Sequence, residues 1–122
     1  FGATEKFNQL VDECILNNIN FKFIQADTLK INIENTDLLF IDTLHNYEQI
    51  KIELLKHNKN VNKFIIFHDT VSFGTKNETG HGKGILLAIN EFLDENKNWK
   101  IIEDLKNNNG LMVLEKTGDI NV

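Results

Sequence analysis

Two acids and two imidazoles stand where apolar runs of the chain stop. In "LLFIDTLHNY" (38–47) Asp42 and His45 follow a run ending at Ile41, and in "FIIFHDT" (64–70) His68 and Asp69 follow Phe67. Carboxylates and imidazoles are the side chains best suited to bind cations and move protons near neutral pH. Taken singly, each has a plainer reading. A carboxylate leaving a strand often caps the next helix, and a histidine there is often a satisfied bystander. All four groups at two such exits point to a shared site.

The elements that must position them follow from periodicity. "DLLFI" (37–41) and "KFIIF" (63–67) are continuous apolar runs, as expected for strands buried on both faces of a parallel sheet. Between them Tyr47, Ile50, Leu54 and Leu55 form a helical stripe, with Asn46 as cap and Gln49 three residues on. Phe7, Leu10, Val11, Cys14 and Ile15 predict an amphipathic helix over 4–17 behind a Thr4 cap, and "FKFIQA" (21–26) predicts a strand ending in Asp27. Ile85, Ala88, Ile89, Phe92 and Leu93 mark a further helix. "WKIIED", "KNNNG" and "LMVLEK" read as two strands around a turn closing on Gly110, an antiparallel hairpin. The polar stretch Val71 to Gly82 is expected to be a lid-like loop. Its Gly80-His81-Gly82-Lys83-Gly84 follows no strand, so it is not a dinucleotide-binding loop.

Alternating helices and buried strands give the expected class: α/β, Rossmann-like and doubly wound, mostly parallel, with a C-terminal antiparallel hairpin. Ligands of such sheets bind beyond the carboxyl ends of the strands. Asp27, Asp42, His45, His68 and Asp69 all fall at such exits. Neighbouring strands lie roughly 4.8 Å apart, so Asp42 and Asp69 can face one cavity if their strands are adjacent.

Bulk properties narrow the function classes. A chain of 122 residues with 41% hydrophobic content suits one domain over 1–122. A net charge of −5 disfavours a nucleic-acid partner, because phosphate binding needs clustered cations. No apolar stretch is long enough to span a bilayer, so no membrane partner is expected. The single Cys14 fits a small core residue in a reducing compartment, which gives a soluble, cytoplasmic expectation.

The paired "ID-x-x-H" and "HDT" elements, the glycine-bearing loop, "GKGILLAINEFL", "NWKII" and "NNNGLMVLEK" together resemble the class I S-adenosylmethionine-dependent methyltransferases. The similarity is to the branch of metal-dependent sugar O-methyltransferases and cephalosporin hydroxylase-like proteins, and it runs from Asp27 onward. Thr43 stands where that family usually has glycine, and the family's glycine-rich loop for the methionine end of the cofactor is absent. The resemblance therefore implies the C-terminal two-thirds of a methyltransferase domain. It implies S-adenosylmethionine and Mg²⁺ or Mn²⁺ as cofactors, and a small-molecule acceptor such as a sugar hydroxyl. Asp42 and Asp69 would hold the metal with His68 as a third ligand, an imidazole that shifts preference toward Mn²⁺. His45 would be the general base. Asp27 would accept from the adenine amine, or serve simply as a turn residue. A domain lacking its first strand would also favour a homo-oligomer. Two other readings stay open: a non-catalytic binding module, and a metal-dependent hydrolase on a related α/β sheet.

Overall fold

The computed structural model describes residues 4–118. Helix α1 (Glu5–Leu16) opens it, capped by the Thr4 hydroxyl, which accepts from the Phe7 N–H. Strand β1 (Thr36–Ile41), helix α2 (Tyr47–His57), strand β2 (Val61–His68), helix α3 (Ile85–Glu95) and the strands β3 (Trp99–Leu105) and β4 (Leu111–Lys116) follow. The Asn46 side chain accepts from the Gln49 N–H at 2.8 Å, as the capping pattern predicts. Among the described residues no helix is long and apolar enough to cross a membrane.

The strands form one sheet in the order β1-β2-β4-β3. β1 and β2 are parallel, whereas β4 runs antiparallel to both β2 and β3. The fold is thus α/β with a mixed four-stranded sheet. The expectation that Asp42 and Asp69 leave adjacent parallel strands is met, because Ile41 is level with Phe67. Two of the three pairings are antiparallel, since the hairpin docks its last strand, and not its first, against β2.

One face of the sheet carries the core. Ile41, Ile65, Phe67, Met112 and Leu114 pack with Ile50 and Leu54 of α2 and with Ile85, Ala88, Ile89 and Phe92 of α3. Each fully buried side chain of this size is worth about 1.5–3 kcal/mol in transfer free energy. The Tyr47 hydroxyl joins the two helices by donating to Glu91 at 2.6 Å. Strand alternation turns Leu38 and Phe40 to the opposite face, where Phe40 remains 50% exposed.

Residues 21–26 do not form the expected strand. Among the described residues they pair with no strand of the sheet, and a run of apolar residues becomes a strand only where a ladder partner is present. Phe21 packs edge-on against Phe7 of α1 instead. Of the apolar stripe expected on α1, Cys14 is buried, whereas Leu10 is 45% and Ile15 68% exposed.

Candidate functional site

β1 and β2 deliver the site because their parallel register brings two carboxyl ends to one level. Asp42 follows the last residue of β1, and His68 closes β2. Asp69 then takes a left-handed backbone with φ 62°, a conformation costing a non-glycine residue roughly 1–2 kcal/mol. The β3–β4 turn secures it. Asp69 N–H donates to the Gly110 carbonyl at 2.9 Å, and Val71 and Ser72 N–H donate to the Asn109 carbonyl at 2.9 and 3.1 Å. Gly110 has φ 96°, and a Cβ there would lie 2.4 Å from the Val71 nitrogen, so this position needs glycine.

The side chains converge as the exits predict. His45 Nε2 lies 3.1 Å from Asp42 Oδ1 and 3.1 Å from Asp69 Oδ2. His68 Nδ1 lies 3.2 Å from Asp69 Oδ2 and 3.9 Å from Asp42 Oδ1. One donor atom each from Asp42, His68 and Asp69 fall within 4.8 Å of one another, the spacing of a set that can share one cation. Among the described residues no lysine pairs with Asp42 or Asp69; their ionic partners are the two histidines. Two carboxylates and one imidazole make a donor set that fits Mn²⁺ or Mg²⁺.

His45 is held from its other side. Its ring stacks on Phe73 at a centroid separation of 5.0 Å. Glu78, in the loop between β2 and α3, meets His45 Nδ1 at 2.5 Å and accepts from the His45 backbone N–H at 3.0 Å. These contacts, the backbone donor first, hold the Glu78 carboxyl below the usual carboxylate range. Sequence reasoning did not single out Glu78. It stands 33 residues from its partner, in a polar loop without periodicity.

Asp27 is not brought into this cluster. Its Oδ1 accepts from the Leu29 N–H at 2.9 Å, the local turn arrangement, and its Oδ2 lies 3.9 Å from Lys30 Nζ. The next residue is the informative one. The Thr28 hydroxyl donates to buried Glu53 at 2.6 Å, and the Thr43 hydroxyl donates to the other oxygen of Glu53 at 2.8 Å. Gln49 Nε2 adds a third donor at 2.8 Å, and His57 Nε2–H donates to the Thr28 carbonyl at 2.6 Å. One carboxylate on α2 thus clamps the residues that follow Asp27 and Asp42.

Comparison with protein-family models and with curated proteins returns no match.

Proposed function

We propose that this chain carries the acceptor-binding, metal-holding part of an S-adenosylmethionine-dependent O-methyltransferase on a Rossmann-like sheet, with a sugar or similar small hydroxyl compound as acceptor. The observation that carries the reading is the convergence of Asp42, Asp69 and His68 within one cation's reach, beside His45. A divalent cation supplies Lewis acidity that lowers the pKa of an acceptor hydroxyl. Asp42 and Asp69 would hold it by charge, and His68 would contribute the nitrogen that favours Mn²⁺ over Mg²⁺. His45, adjoining both carboxylates but outside the three-donor set, is suited to receive the hydroxyl proton on Nε2.

The residues present do not account for the cofactor's own seat. Among the described residues no strand is followed by a glycine-rich turn that could cradle the methionine end, and the Asp27 carboxylate is engaged in its own turn. What these residues would serve is the acceptor side of the transfer. A hydrolase working through paired metals would need more ligands than this three-donor set provides.

Titration of the protein with Mn²⁺, followed by water-proton relaxation, tests the reading. One saturable site is expected, with most affinity lost in Asp42→Asn, because a neutral amide gives up the charge that holds a hard cation. His45→Asn should bind the metal nearly as the parent does. Absence of saturable binding, or equal loss in both variants, overturns the division of roles.

A further inference from the structure

The turn that seats Asp69 carries the sequence's one asparagine followed by glycine, Asn109–Gly110. Asparagine is thermolabile, and a glycine after it leaves the next backbone nitrogen unshielded by a side chain. Geometry dictates both residues. Asn108, Asn109 and Gly110 have φ of 49°, 71° and 96°, a left-handed stretch that asparagine and glycine tolerate best. A Cβ at 110 would strike the Val71 nitrogen, so the labile step cannot be removed from its glycine side. Contacts on both residues hold the step closed. Gly110 N–H donates to the Asn107 carbonyl at 2.9 Å, and the Ser72 hydroxyl donates to Asn109 Oδ1 at 2.9 Å. The Asn109 carbonyl accepts from the N–H groups of Val71 and Ser72. Asn109 and Ser72 are nonetheless exposed, so water reaches the step.

We propose that Asn109 is a modification site, which deamidates when the turn lifts from Ser72 and thereby unseats Asp69. Nothing in this chemistry depends on what the candidate site binds. The Gly110 nitrogen, its proton passed to base in the solvent, bonds to Asn109 Cγ. The Cγ–Nδ2 bond breaks, ammonia leaves with a proton from water, and a cyclic imide joins the two residues. Water then opens the imide at either carbonyl. Opening at Cγ gives aspartate with the backbone unchanged. Opening at the main-chain carbonyl gives isoaspartate, whose chain runs through the side-chain carbons and is longer by a methylene. The old carbonyl, which accepted from Val71 and Ser72, becomes a free carboxylate beside the chain. Gly110 is displaced with it, so its carbonyl leaves the Asp69 N–H and the left-handed backbone there loses its anchor. In the closed turn the attack is blocked, because the Gly110 hydrogen is already donated and the Asn109 amide is held by Ser72.

Wild type, both native and in urea, and native Ser72→Ala are incubated in mildly alkaline buffer and digested. Mass spectrometry of the peptides then counts aspartate and isoaspartate at position 109. In urea, conversion there should outrun that at Asn107 and Asn108, which are each followed by asparagine. The native wild type should lag the unfolded chain by roughly tenfold or more, because the turn must open first. Ser72→Ala should recover part of that gap. Equal rates in native and unfolded wild type overturn the proposal without any variant, and so does conversion at 109 no faster than at its neighbours. A folded Ser72→Ala protein that converts no faster than the wild type overturns the guard assigned to Ser72. After prolonged native incubation the isoaspartate fraction is separated, and hydrogen exchange is read at the Asp69 amide. Protection there should be lost in that fraction and kept in Asn109→Asp, which reproduces the other product. Retained protection in the isoaspartate fraction overturns the link to Asp69.

Discussion

Ile15 and Leu54 both stand on apolar helical stripes, yet the first is 68% exposed and the second 2%. The difference separates two regions. Residues 36–116 close a helix pair over one sheet face, and residues 4–35 hold α1, with Cys14 the buried member of its helix, and a run that forms no strand. A hydrophobic stripe states a capacity for burial; a partner surface decides whether it is used. The candidate metal ligands, with His45 and Glu78, all belong to the packed region, and Asp27 belongs to the other. Precision of the kind a site needs comes from supporting contacts on every side.

The comparison can be broken most forcefully in the core. Phe67→Ala should destabilise the fold by about 3–5 kcal/mol, whereas Leu16→Ala should stay within about 0.5 kcal/mol. Urea unfolding of the two variants measures this, and similar losses would mean that α1 is packed far more firmly than its exposure indicates. Next in size is the effect of metal. At about 100 times its dissociation constant, Mn²⁺ should stabilise the wild type by about 2.7 kcal/mol. The gain should be absent in Asp42→Asn, and thermal unfolding at graded Mn²⁺ checks it.

The clamp between the regions gives a smaller effect. Removing the Glu53 carboxylate strands the donors of Thr28, Thr43 and Gln49, so Glu53→Ala should cost about 1–3 kcal/mol. Hydrogen exchange should quicken at residues 27–35 more than in β2. Uniform acceleration would show that Glu53 serves the core as a whole. The smallest effect concerns the helix pair. The Tyr47 hydroxyl, ahead of Lys51, holds the Glu91 carboxyl below its usual value of 4.5. A depressed folded-state pKa adds stability above the unfolded value and loses it as pH falls through the folded one. Stability should therefore fall slightly more steeply below pH 4.5 in the wild type than in Glu91→Gln, as read by unfolding midpoints.

Much of this was legible in the residues. The continuous runs before Asp42 and His68 became adjacent parallel strands because both faces of such runs favour burial in a sheet, and Asn46 capped its helix as its type requires. Convergence of the four site groups followed from strand ends alone. The failures share a cause, which is dependence on distant partners. Residues 21–26 have strand composition but no ladder neighbour among the described residues. Glu53 reads as one more polar helix position until Thr28 and Thr43 arrive from elsewhere in the chain. Glu78 offers no local sign of meeting His45, since loop geometry and not periodicity carries it there. The insertion of β4 between β2 and β3 is likewise invisible to pattern, because either hairpin strand could have faced β2.

That insertion has a consequence in time. During synthesis β2 leaves the ribosome with one edge paired to β1 and the other open, and it stays open until residues beyond 110 have emerged and folded back. A nascent chain stalled earlier would present a bare, apolar strand edge, the kind of surface that recruits chaperones or other chains. The same event completes the chemistry. Asp69 holds its left-handed backbone against the Gly110 carbonyl, so the candidate site is complete only once the β3–β4 turn has folded back onto it.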